Sequence, residues 1–175
     1  MGEHGYYDTN LHKWVDYEVE EQESPDPLNR DFRAEYEEYS AMLAFLAIKK
    51  ELKPGANLSG VNLSNQYLVG VNLANADLSE SDLSLANLTG ANLYSTNLQS
   101  SKMRRANLHN ATLTFANLSK VDLILSNLFC ADLYSVNFYC ADLRGCNLKG
   151  ANLGNANLYG AELKGATMPD GTIHD

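Results

Sequence analysis

The chain has 175 residues, a net charge of −9 at pH 7 and a hydrophobic content of 45%, which suits one compact domain or a domain with an extension. Acidity of that size repels nucleic acid and anionic lipid at long range, so neither is an expected partner. The longest apolar run, Ala41–Ile48, falls far short of the ~20 residues that cross a bilayer, so no membrane insertion is expected.

The charge is uneven. Residues 1–55 carry 13 acids and 6 bases, whereas residues 56–175 carry 9 acids and 7 bases, so the acidity sits in the first third. The start, Met1-Gly2-Glu3-His4-Gly5-Tyr6, lacks the basic and apolar regions of a signal peptide. Tyr6 stands where a myristoylation motif has Ser or Thr. A cytoplasmic protein is expected. The three cysteines, Cys130, Cys140 and Cys146, have no C-x-x-C spacing, which fits free thiols in a reducing compartment.

Residues 1–54 read as an acidic extension with a helical cap. Within residues 1–24, Leu11, Trp14, Val15, Tyr17 and Val19 lie among many acids. A short helix packing on the next one is the expectation there, with a disordered acidic tail as the alternative. Asp26 suits a helix N-cap, with Pro27 at the first helical position. Phe32, Tyr36, Tyr39, Leu43, Leu46 and Lys50 follow helical spacing, and Pro54-Gly55 stops the helix. This helix is expected to be a lid on the repeat region that begins at Ala56, a docking element for a partner, or both.

From Ala56 onward every fifth residue is large and apolar, from Leu58 through Leu108 to Met168, with no slip in frame over 23 units. Two positions before each sits a small residue, as at Ala76, Ala91 and Ala151, with Asn or Asp between, as at Asp77 and Asn92. A period of five matches neither a helix nor a flat strand. It fits a chain that turns a corner every five residues, so that four sides close a square coil of 20. Stacked coils then pair through their backbones at ~4.8 Å, giving nearly six coils and a rod roughly 27 Å long. Met168 is the last inward position, Pro169-Asp170-Gly171 signals a turn, and Ile173 is expected to fold back over the last coil. Gln66 and Tyr67 break the pattern, and a distorted corner is expected there.

The motif A-[N/D]-L-x-x resembles the pentapeptide-repeat family, over residues 56–168. The resemblance implies a mainly β fold, a right-handed quadrilateral β-helix over residues 55–175. It also suggests a cyanobacterial source. Most such proteins have no assigned biochemical function.

Chemistry is hard to find. Cys130 and Cys140 are two sides apart and cannot pair, and Cys146 takes a small inward position. His4, His12, His109 and His174 are scattered, so no metal site, no cofactor and no catalytic residue is assigned. The G-x-x-x-x-G at Gly145 and Gly150 arises from the repeat, as do the sequons at Asn57 and Asn87. Asp82, Lys102, Asp122, Asp142 and Glu162 fall in one column, beside Arg104, Arg144 and Lys164, an expected surface ion-pair ladder with little energy per pair. Lys102, Arg104 and Arg105 also read as an anion site. The most informative feature is apolar. The outward residue after each large one becomes Ile124, Phe129, Tyr134 and Tyr139 on four successive sides, with Phe115, Leu125, Tyr94 and Tyr159 nearby. This girdle is the candidate protein-interaction surface.

The sequence supports two readings of function. The first is a non-enzymatic interaction module or scaffold, monomer or homodimer, for a protein partner the sequence does not identify. The second is a DNA-mimic modulator of a type II topoisomerase, gyrase, as the resemblance implies for some members. Those members are strongly negative rods that commonly dimerise at the C-terminal end. Here the repeat region has Arg and Lys on its faces and no inserted loops.

Overall fold

The computed structural model describes the backbone of residues 5–8 and 13–16 and the whole of residues 49–175. Two compact units divide the chain, Met1–Ala41 and Met42–Asp175.

In the first unit, β1 (Gly5–Asp8) and β2 (Lys13–Asp16) pair antiparallel, with Tyr6 opposite Val15 and Tyr7 opposite Trp14. This corrects the helix expected around Trp14 and Val15. Aromatic and β-branched residues favour a pleated pair over a helix. The helix expected over Phe32, Tyr36, Tyr39, Leu43 and Leu46 lies outside the described residues.

The second unit is a repeat β-solenoid. Parallel bridges join residues 20 apart on each of four sides: Asn57 to Asp77, Asn62 to Asp82, Tyr67 to Asn87 and Asn72 to Asn92, then onward to Thr167. Each rung is made of short backbone bonds. The Leu58 N–H donates to the Asp77 carbonyl at 2.7 Å, and the Asp77 N–H donates to the Ala56 carbonyl at 2.8 Å. The corners close through a bond from the small residue back to the preceding large one, as from Ala116 N–H to the Leu113 carbonyl at 2.8 Å.

The third position of each corner turn has positive φ, from 51° at Ser95 to 74° at Gly165, which a type II turn requires. Gly and Asn suit it. Leu85 (62°), Phe115 (62°) and Leu125 (59°) also occupy it, at a cost of roughly 1–2 kcal/mol each.

The core is a column of leucines at 0–3% exposure from Leu58 to Leu148, with Met103 and Phe138 in the same positions. Small residues line the walls. Where these are polar, each is satisfied: Ser81 Oγ donates to the Leu78 carbonyl, Thr96 Oγ1 to Leu73, Ser101 Oγ to Leu98 and Ser126 Oγ to Met103, at 2.6–2.9 Å. No buried side-chain nitrogen or oxygen among the described residues lacks a partner.

The Asn and Asp positions do more than mark turns. Each accepts the N–H two residues on, as Asn117 Oδ1 does from Ser119 at 3.2 Å. Many also bond to the preceding coil. Asn97, Asn117, Asn137 and Asn157 each donate Nδ2 to the residue 20 before, at 3.0–3.2 Å.

At the C-terminal end the chain turns at Asp170, whose Oδ1 accepts the Thr172 N–H and hydroxyl, and Thr167 bridges Ile173 antiparallel. The backbone folds back as expected, but the Ile173 side chain stays 60% exposed. Leu153, Leu158 and Leu163 of that coil are only partly buried. Around Gln66 and Tyr67 the expected distortion is missing. Tyr67 keeps its bridge to Asn87, and the Gln66 carbonyl accepts the Asn87 N–H at 2.9 Å. A bridge position needs only backbone groups, and Tyr67 points out at 64% exposure.

Candidate interaction surface

Residues five apart sit on neighbouring sides, and residues 20 apart stack. The girdle is therefore distributed over four sides, and contacts form along columns instead of around the coil. One corner gathers three of the expected residues. The ring of Phe115 meets Tyr94 at 5.7 Å and Tyr134 at 6.2 Å, with interplanar angles of 87° and 85°. Tyr94, Phe115 and Tyr134 are 41%, 52% and 37% exposed. Edge-to-face contacts of this kind add ~0.5–1.5 kcal/mol each beyond burial. Asn155 Nδ2 donates to the Tyr134 hydroxyl at 2.7 Å and fixes its upper end.

The other candidates lie on separate sides. Tyr139 stacks on Tyr159 at 6.0 Å. Phe129 is half-buried and stacks on His109 at 5.4 Å, a contact not expected from the sequence although the two are 20 apart. Ile124 and Leu125 share a shallow recess of about 290 Å³ with Ser84, Leu85, Arg104 and Arg105. Read along the chain, the sequence does not single out Leu85. Its signal is the same 20-residue step, repeated from Leu85 through Arg105 to Leu125.

The charged column forms as expected in part. Bridges join Asp82, Lys102, Asp122, Asp142 and Glu162 in order. Arg104 pairs with Asp122 at 2.5 Å, and Arg144 pairs with Asp142 at 2.6 Å and Glu162 at 3.3 Å. The Arg144 hydrogen bonds hold the Asp142 carboxyl below its usual range. Arg105 makes no ion pair or side-chain hydrogen bond among the described residues.

Cys130 and Cys140 are exposed and free, and Cys146 is buried. Its Sγ donates to the Leu123 carbonyl at 2.8 Å, and burial pushes the thiol up to about 12. Gly145 and Gly150 are ordinary corners with φ of 66° and 72°. Among the described residues, no group of three His, Cys, Asp or Glu side chains can hold a metal ion. No helix among them is long and apolar enough to cross a membrane.

Among curated proteins, none matches the chain. Solved structures do. The chain is similar to HetL, a pentapeptide repeat protein involved in heterocyst differentiation regulation from the cyanobacterium Nostoc sp. strain PCC 7120. The identity is 34% over 69% of this chain, with a TM-score of 0.48. The match spans 65% of HetL, just under two thirds of its length. It is also similar to Rfr23 from the cyanobacterium Cyanothece 51142, at 26% identity over 77% of this chain and 99% of that one, with a TM-score of 0.45. A third, alr5209 from Nostoc PCC 7120, is 31% identical over 72% of this chain and 76% of that one, with a TM-score of 0.25. The sequence pattern described as "Pentapeptide repeats" matches in eight copies, over residues 56–93, 91–128, 106–139 and 137–170. With a corner every fifth residue and a rung every twentieth, the chain belongs to the pentapeptide-repeat family.

Proposed function

We propose that this chain is a non-enzymatic interaction module or scaffold that holds a protein partner against the Tyr94–Phe115–Tyr134 corner. One observation carries the reading: three interlocked rings are each more than a third exposed. Solvent-exposed aromatic clusters of this kind are typical of contact surfaces. Phe115 supports it further, because a bulky residue is kept where Gly or Asn would be unstrained.

The cytoplasm as its place of action, a monomeric or homodimeric state and the right-handed sense of the coil belong to the same proposal. So does the extension, residues 1–54, as a second surface built on Phe32, Tyr36, Tyr39, Leu43 and Leu46. Similarity to HetL, a protein of heterocyst differentiation regulation, makes a regulatory partner the first to look for.

Affinity capture from native lysate tests the proposal, comparing the full chain with the Phe115→Ser/Tyr134→Ser variant. Serine is tolerated at such corners, since Ser95 and Ser135 adopt the same backbone. A partner held by the full chain and lost from the variant is the expected result. Identical partners for both would overturn the assignment of this corner.

A further inference from the structure

On the corner diagonally opposite the three rings, Leu85, Arg105 and Leu125 stack one above another, 20 residues apart. All three have positive φ, at 62°, 55° and 59°. Leu85 and Leu125 are 53% and 55% exposed. Two bulky apolar residues at strained positions, both facing solvent, gain nothing from the core in return. Neither do they pack on each other, because Arg105 lies between them.

That arginine also makes no ion pair among the described residues. Its neighbour Arg104 pairs with Asp122, and Arg144 pairs with Asp142 and Glu162. Arg105 has no partner among the described residues, although it lines the recess with Ser84, Leu85, Ile124 and Leu125. The corner thus offers an apolar contact, a guanidinium with free donors, and a second apolar contact in a straight line. Above Leu125 the column continues as Gly145 and Gly165, which leave the surface low. Leu125 leans over Gly145, where an added Cβ would meet its Cδ2 at 2.7 Å.

The spacing selects a partner. Leu85 and Leu125 are two coils apart, about 9.6 Å at the spacing of paired strands, with Arg105 about 4.8 Å from each. A strand laid along the rod repeats a face every ~6.8 Å and matches neither distance. An α-helix places residues i and i+7 about 10.5 Å apart on one face, with i+3 and i+4 between them at about 4.5–6 Å. We infer that the Leu85–Arg105–Leu125 corner docks an acidic amphipathic helix of a partner protein, with apolar residues at i and i+7 on the two leucines and a carboxylate at i+3 or i+4 on Arg105. The carboxylate matches a guanidinium that makes no ion pair among the described residues, and the helix would give Leu85 and Leu125 the burial they lack. This surface is separate from the aromatic corner and does not depend on it.

The test uses the full chain and a fluorescein-labelled helical peptide of about 18 residues, long enough for stable helix, with Leu at i and i+7 and Glu at i+4. Anisotropy titrations compare the unchanged protein with Arg105→Glu and with Leu85→Ser/Leu125→Ser. Glu80 already adopts the same corner conformation at φ 59°, so the charge reversal asks nothing new of the backbone, and circular dichroism verifies folding. Saturable binding is expected, weakened at least about tenfold by either variant. A peptide with Lys in place of Glu is expected to bind Arg105→Glu better than it binds the unchanged protein. Phe115→Ser/Tyr134→Ser should bind the Glu peptide normally, which separates this inference from the aromatic reading. No saturation by 1 mM peptide, on the order of the weakest specific contacts, would overturn the proposal. So would affinity indifferent to Arg105→Glu. Loss with Arg105→Glu but not with the double serine variant would mean a bare anion contact and would overturn the helix.

Discussion

Truncating Leu108 and Leu158 to alanine in separate variants compares the middle of the rod with its last coil. Leu108 is fully buried, and its N–H donates to the Asn127 carbonyl at 2.7 Å. The backbone bond survives the change, so the loss is packing alone. Removing a buried leucine costs about 2–5 kcal/mol, transfer and cavity together. Leu158 occupies the same position in the repeat but is only partly buried, because no full coil covers it. Its truncation should cost less, about 1–2 kcal/mol, in proportion to the area it hides. Urea unfolding followed by far-ultraviolet circular dichroism reads both. With slopes of ~1–3 kcal/mol/M, a difference of roughly 1–3 kcal/mol should make the Leu108 variant unfold roughly 0.3–3 M earlier than the Leu158 variant. In a solenoid each coil is supported only by its neighbours, so the end variant should also keep its slope. Equal losses at the two sites would refute the view that stacking on both sides makes the core.

Four other predictions concern the ladder, the thiols and the charge of the rod. Asn117→Ala removes bonds to Asn97, Asn137 and Ser119 and should cost about 1–3 kcal/mol by the same urea assay; a neutral result would mean the side-chain ladder is ornamental. At pH 8, a thiol reagent should modify Cys130 and Cys140 quickly and leave Cys146 untouched until unfolding, since Cys146 is buried with its proton retained to about 12. The same shift has a sign. Above the ordinary value of 9.0 the unfolded thiol ionises while the folded one does not, so stability should fall as pH rises from about 9 towards 12, and Cys146→Ala should flatten that fall. Gyrase supercoiling should be unaffected at micromolar protein, because the repeat region carries 9 acids against 7 bases and lacks the strong negative field of a DNA mimic; inhibition would revive that reading.

The core is legible in the sequence because its rule is strict. One large apolar residue every fifth position leaves few ways to fold, and each of these residues from Leu58 to Leu148 is indeed buried. What depends on side-chain direction is not legible. The Asn117 amide bonds to a residue 20 earlier in the chain, which its local identity as a turn former does not announce. Tyr94, Phe115 and Tyr134 all stand out in the sequence, but as parts of a girdle. A coil turns by a quarter every five residues, so contiguous positions separate and distant ones meet. Leu85, read locally, is one apolar residue among serines; only the stack with Arg105 and Leu125 gives it meaning. Trp14 and Val15 sit in a segment too short for its period to separate helix from strand, and pairing with Tyr6 and Tyr7 decides it.

Site-specific photocross-linking can show whether the aromatic corner is a protein contact surface. A photoreactive phenylalanine analogue would replace Phe115 in one preparation and Ser59, an exposed residue of another side, in a second. In native lysate, a discrete cross-linked species from position 115, absent from position 59 and abolished by Tyr134→Ser, is the predicted result. Cross-links that are equally diffuse from both positions would mean that the corner is no contact surface.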